Sequence, residues 1–386
     1  MKLLRLTNTI NATSAPYNQF SLRLKETIDE TVCSLLKHDV KIDKDIEGFH
    51  GEGSIFIMLK LVKRLIIKND YDVIHIHSGL TGIIFIIAIF PFRLSLLKKT
   101  LFTLHNSWNV LKLRNQILDF IVMLVSRRVC TCGLSSRDSI PRIVNFFVGK
   151  KTIAIINGFD HDRIDRVEKE KLAITHFDSN SKIKILCVGA LNNTKNQISL
   201  LEALKTIDME AEVIFLGDGA NRQTLIGYSK SISDSIKITF KGRVSRDLAI
   251  EHMFEADISI SLSKGEGLPI AILESMYAGC YMILSKIPPH TEISPPSERC
   301  FFVDLYKKEL VNKLHFRFDL FEKLHYKKFS LNDNIYPLIL HNKIHNGISY
   351  APCLLDDLSL RYCEYIEYID IRADKIKHLN YVNNYK

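Results

Sequence analysis

Two carboxylates, Glu266 and Glu274, flank a glycine turn and a helix start within Ser261–Gly279, SLSKGEGLPIAILESMYAG. The apolar run Ile258 to Leu262 predicts a strand, Gly265-Glu266-Gly267 a turn, and Pro269 the first residue of a helix. Proline suits that position because its φ is pre-set and its missing N–H had no partner to lose. The glycines let backbone approach a ligand closely, and a new helix N-terminus offers free N–H groups with a partial positive charge. Glu274 lies five residues beyond Pro269, roughly 7–8 Å along a helix rising about 1.5 Å per residue. A diphosphate at the helix start would therefore place a ribose beside Glu274 and a sugar beside Glu266. The same spacing also fits a plain strand–turn–helix junction carrying one solvated acid.

The whole string resembles the signature of family 4 retaining glycosyltransferases of the GT-B fold. Glu266 in the turn, Glu274 eight positions later, the P-x-A-x-L-E-S wording and the helix stop Ala278-Gly279 all match it. Further segments follow in the family's order. The strand Ile183 to Val188 runs into Gly189 and on to Lys195, which matches a lysine that serves the donor diphosphate. Ala190 stands where the family has an arginine; loss of one such cation weakens a phosphate clamp by about 1.5–3 kcal/mol, and Arg222 and Lys241 are candidate substitutes. Gly217-Asp218-Gly219 resembles the next loop. Phe240-Lys241-Gly242 resembles the segment that lines the nucleotide-base pocket. The resemblance thus assigns Gly189, Lys195, Gly217, Gly219, Gly242, Gly267, Leu268 and Glu274 to the donor and Glu266 to the sugar hydroxyls.

Thr103-Leu104-His105 ends a strand and resembles the family's T-x-H segment, which puts His105 beside the reacting sugar as a catalytic residue. His75 and His77 share one face of a strand. His77, with Ser14 in the loop Asn8 to Pro16, is the expected acceptor contact; that loop replaces the family's Gly-Gly pair. No H-E-x-x-H spacing occurs, and no loop carries a D-x-D pair of the metal-dependent glycosyltransferase type, so no metal and no resident cofactor are expected. The resemblance implies stabilisation of a departing diphosphate and of oxocarbenium-like charge, with reaction on one sugar face.

Composition bounds the partners. The chain has 386 residues and is 46% hydrophobic, enough for two packed cores. Eight scattered cysteines, none in a C-x2-C pair, fit a reducing cytoplasm. The first 20 residues lack the apolar core of a signal peptide. The apolar run Gly82 to Phe92 is too short to span a membrane and Val110 to Val129 is interrupted by charges. Residues 1–150 carry 21 Lys and Arg against 12 Asp and Glu, so the whole excess of +9 lies in the first half. Basic charge beside apolar helices suits the anionic inner face of the cytoplasmic membrane. No nucleic-acid-binding motif is found.

These residues need elements to hold them. Strands are predicted at Lys2–Leu6, Asp72–His77, Thr100–His105, Cys130–Leu134 and Thr152–Ile156, with helices at Asn18–Lys37 and Ile55–Asn69. The pattern restarts at Ile183–Val188, with strands at Val213–Leu216, Ile238–Phe240 and Ile258–Leu262. Such alternation predicts parallel α/β sheets. The expected architecture is GT-B, two Rossmann-like domains facing each other across a cleft. They comprise an acceptor-binding, membrane-facing domain at 1–157, a linker at 158–181, a nucleotide-sugar domain at 182–350 and a tail at 351–386 that crosses back. The reading is a glycosyltransferase using a nucleotide sugar, UDP favoured, on a lipid-linked oligosaccharide acceptor for bacterial surface polysaccharide (O-antigen or capsule). A nucleotide-sugar epimerase or hydrolase of the same fold, and a non-catalytic glycan-assembly subunit, are the competitors.

Overall fold

The computed structural model describes residues 1–305, except 12, 13, 15, 157, 173–181, 294 and 296–298. The expected tail at 351–386 lies outside the described residues. The chain divides into two compact units between residues 157 and 158.

The first unit holds seven parallel strands, β1 (Lys2–Thr7), β2 (Asp29–Ser34), β3 (Glu47–His50), β4 (Val73–Ile76), β5 (Thr100–Leu104), β6 (Arg128–Thr131) and β7 (Thr152–Ala154). Their order is β3-β2-β1-β4-β5-β6-β7. Its helices are α1 (Leu22–Leu24), α2 (Ile55–Lys68), α3 (Gly79–Ile89), α4 (Leu113–Val125), α5 (Leu134–Asp138) and α6 (Arg142–Val148). Strands covered on both faces are dominated by apolar residues; β1 and β4 bury Leu3, Leu4, Leu6, Ile74 and Ile76 fully, with Arg5 and His75 as buried polar interruptions. Ser54 and Ser78 cap α2 and α3 by accepting from Ile57 N and Thr81 N.

One predicted element is overturned. Residues 18–37 are not a helix: a short helical stretch ends at Leu24 and Asp29–Ser34 forms β2, buried at every position but the first. Thr31, Val32 and Cys33 sit between β1 and β3, where β-branched side chains pack better than in a helix. Strand β3 was not anticipated either.

The second unit contains β8 (Ile183–Val188), β9 (Ala211–Leu216), β10 (Ile236–Gly242), β11 (Ile258–Ser261), β12 (Tyr281–Ser285) and β13 (Cys300–Val303), all parallel and ordered β10-β9-β8-β11-β12-β13. Its helices are α7 (His161–Leu172), α8 (Gln197–Leu204), α9 (Arg222–Ser229), α10 (Arg246–Glu255), α11 (Ile270–Tyr277) and α12 (Pro288–Ile293). The segment expected as a linker therefore begins inside this unit, where α7 packs on α10 and α11 and Tyr277 donates to Asp165 at 2.8 Å. In each unit the strand order reverses direction at the first strand, β1 or β8. That switch point is where open α/β sheets take ligands, at the carboxyl ends of the strands.

Candidate functional site

The carboxyl ends of β8, β9 and β10 are tied in series by backbone. Gly189 N donates to Leu216 O at 2.9 Å, and Gly217 N donates to Gly242 O at 2.8 Å. All three glycines have positive φ, at 149°, 135° and 73°. A Cβ on Gly217 would lie 2.0 Å from the carbonyl oxygen of Gly189, and one on Gly219 would lie 2.4 Å from that of Leu191. Gly217 and Gly219 are thus required by the packing of one loop on another. Gly189 and Gly242 have room beside them and answer to their backbone conformation alone.

Lys195 and Glu266, 71 residues apart, meet in this crevice. Lys195 Nζ donates to Glu266 Oε1 at 2.6 Å, and the lysine stem runs beside Gly189. Ser263 Oγ donates to the same carboxylate oxygen at 2.6 Å. The two loops are held by Lys264 N to Thr194 O and by Asn196 Nδ2 to Leu262 O. Gly265, Glu266, Gly267 and Leu268 are all buried, and neither glycine has positive φ. Pro269 is the residue just before α11 rather than its first residue, with φ −80° and ψ 105°, and no side chain caps the helix. Its first N–H groups keep the anion-attracting character of a helix start.

Glu274 lies on α11 and is 4% exposed. Its carboxylate accepts a hydrogen bond from Arg246, the first residue of α10. Burial raises the Glu274 pKa, and the neighbouring guanidinium opposes that rise. Arg246 was missed in the sequence because nothing in the spacing of two residues 28 apart reveals their pairing. Asp247 in turn pairs with Arg163 and Arg166 of α7, whose charges lower its pKa against burial. Position 190 is an exposed alanine and supplies no cation of its own. Of the two candidate substitutes, Arg222 reaches the loop cluster: Nη2 donates to Phe240 O at 3.4 Å and lies 4.0 Å from where a Gly242 Cβ would be. Its buried Nε has no hydrogen-bond partner among the described residues. Lys241 is exposed on β10. His290, within electrostatic reach of Glu266, is fully buried, its Nδ1–H donating to Ser285 O at 2.9 Å. Burial lowers its pKa.

In the first unit the three expected histidines form one chain organised by Arg5. Arg5 is fully buried and paired with Glu30, which also accepts from Ser21 Oγ at 2.9 Å. Arg5 Nη1 reaches His75 Nδ1 at 3.0 Å and His77 Nε2 at 2.9 Å. A guanidinium can only donate, so both of those nitrogens accept. His75 Nε2–H then donates to Thr103 Oγ1 at 2.7 Å, and His77 Nδ1–H donates to His105 Nε2 at 2.7 Å. His105 is left with its proton on Nδ1, 3.5 Å from Cys132 Sγ. Burial lowers the pKa of all three rings and the Arg5 charge lowers them further, His105 to about 4. All three are neutral at pH 7. His77, expected at the acceptor, is buried with both ring nitrogens engaged inside the unit. Ser14 Oγ is likewise engaged, donating to Thr9 O at 3.1 Å.

The two Rossmann-like sheets define the GT-B fold. Residues 168–316 match the family described as glycosyl transferases group 1, so the resemblance to family 4 is borne out over the segment that builds the Lys195–Glu266 crevice. A capsular polysaccharide biosynthesis glycosyltransferase, CapH of Staphylococcus aureus, is 25% identical over 252 residues, which span 62% of this chain but only 65% of that relative. The UDP-Gal:alpha-D-GlcNAc-diphosphoundecaprenol alpha-1,3-galactosyltransferase of Escherichia coli is 26% identical over 299 residues, 72% of this chain and 71% of the relative. Among solved structures, Anabaena Alr3699/HepE in complex with UDP and glucose superimposes with a TM-score of 0.70 at 15% identity, covering 95% of this chain and all of that one. Among the described residues no helix is long and apolar enough to cross a membrane.

Proposed function

We propose that this protein transfers a sugar from a nucleotide-sugar donor, UDP-linked in the favoured reading, to a hydroxyl of a lipid-linked oligosaccharide with retention of configuration, in surface-polysaccharide synthesis. The observation that carries the reading is the Lys195–Glu266 pair, held at 2.6 Å where three strand-end loops converge beside the α11 start. A diphosphate arriving there takes Lys195 and the helix dipole as its positive partners. Glu266 then exchanges its bond to the lysine for sugar hydroxyls, while Ser263 keeps it oriented. Glu274, fixed by Arg246, offers its remaining lone pairs to the ribose. Arg222 supplies the cation missing at Ala190, because its unpartnered Nε sits among the same loops. These charges stabilise the leaving diphosphate without a resident metal. Burial and the Arg5 charge hold His105 neutral, so the catalytic role that the resemblance gives it is not that of a proton donor. The relatives named for capsular polysaccharide biosynthesis and for a diphosphoundecaprenol acceptor support the acceptor class.

The test is a panel of UDP-, GDP- and dTDP-sugars with a synthetic lipid-diphosphate acceptor, the anomeric configuration of the product read by NMR. A new glycoside with the donor's configuration is expected. Donor turnover with no glycosylated product would instead indicate an epimerase or hydrolase, and no donor binding at all would indicate an assembly subunit.

A further inference from the structure

We infer that the joined outer faces of α4 and α6 are a docking surface for an anionic lipid bilayer. Helix α4 turns Val122 and Met123 into the core and leaves Leu113, Ile117 and Ile121 exposed at 72%, 52% and 39%. Helix α6 buries Val148 and leaves Ile143, Phe146 and Phe147 exposed at 77%, 83% and 57%. The helices pack on each other, with the Phe120 ring edge-on to Phe147 at 6.1 Å, so the six side chains form one patch. Contiguous exposed apolar surface of this kind marks an interaction site rather than ordinary protein surface.

Charge selects the occupant. Residues 105–151 contain eight Lys and Arg and only two acids. Asp119 is buried and accepts from Gly79 N at 2.8 Å, and Asp138 is paired with Arg137. Lys112, Arg114, Arg142 and Lys150 are exposed on the same two helices or immediately beside them. An apolar face rimmed by unopposed cations matches the boundary between acyl chains and anionic headgroups. A second copy of this chain would bring the same cations against these. The inference deepens the reading of a membrane-held acceptor by naming the surface. It is tested without donor or acceptor, so it can fail while glycosyl transfer stands, and the converse.

The experiment is co-sedimentation of the full chain with vesicles of one part phosphatidylglycerol to two parts phosphatidylcholine, and with phosphatidylcholine alone. The wild-type chain is expected to pellet with the mixed vesicles at low salt and to be released at high salt. Combined Arg114→Gln, Arg142→Gln and Lys150→Gln should weaken partition about fivefold per residue, since each nearby cation is worth about 1 kcal/mol. Combined Ile143→Ser and Phe146→Ser, both at exposed positions, should abolish pelleting while leaving Trp108 fluorescence native. Equal binding to neutral vesicles, or unchanged binding by either variant, would overturn the inference. So would a wild-type dimer that the apolar variant converts to monomer with no vesicle binding, which would make the occupant a second copy.

Discussion

Lowering the pH from 7 to 5 should destabilise the first unit through His105. In the folded chain burial and Arg5 hold this ring's pKa at about 4, against an ordinary value of 6.5. Between those values the unfolded chain binds a proton that the folded chain refuses. Stability from this group is therefore complete above about pH 6.5 and falls as the pH drops toward 4. Linkage between the two values gives a loss of about 2 kcal/mol between pH 7 and pH 5 from His105 alone. His75 and His77, also held low, act in the same direction. The assay is urea unfolding followed by Trp108, the single tryptophan of the chain, buried in the first unit's core and so blind to the second. The variant His105→Asn removes the titration yet keeps an oxygen that can accept from His77 Nδ1–H. Its loss between the two pH values should be smaller than the wild-type loss by about 2 kcal/mol. Equal pH dependence in the two proteins would refute a neutral, half-buried His105 and the tautomer chain behind it.

Four further outcomes follow from the second unit. Gly217→Ala forces a Cβ to 2.0 Å from Gly189 O at φ 135° and should cost roughly 3 kcal/mol or more in thermal unfolding along with donor affinity. Gly227→Ala, with nothing within 4 Å of its Cβ inside α9, should stabilise by about 0.5–1 kcal/mol. Arg246→Leu leaves the Glu274 carboxylate buried and unpaired, a loss of about 3–5 kcal/mol that titration calorimetry and denaturation should register together. Arg222→Ala should weaken UDP-sugar binding by about 1.5–3 kcal/mol if Arg222 replaces the cation absent at Ala190, and unchanged affinity by calorimetry would remove it from the phosphate site.

The sequence by itself determined the apolar strand runs, their alternation with helices, and the order of the turns at Gly189, Gly217, Gly242 and Gly265–Gly267. Local chemistry controls those features: buried parallel strands need mostly apolar runs, and the left-handed turns at Gly189, Gly217 and Gly242 need glycine. That is why the two-sheet fold was legible, and why a family pattern could assign Lys195 and Glu266 to one site, while their direct contact came only from the tertiary structure. Strand β2 was misread because Glu30 and Thr31 look like a helix's wet face, when Glu30 is in fact buried against Arg5. The partners across the fold came only from tertiary structure. Arg246 on Glu274, the role of Gly217 in spacing two loops, and the tautomers of His75, His77 and His105 depend on groups brought together from 25 to 72 residues apart. Hydrogen-bond direction and burial are properties of that assembled surrounding, and no local pattern carries them.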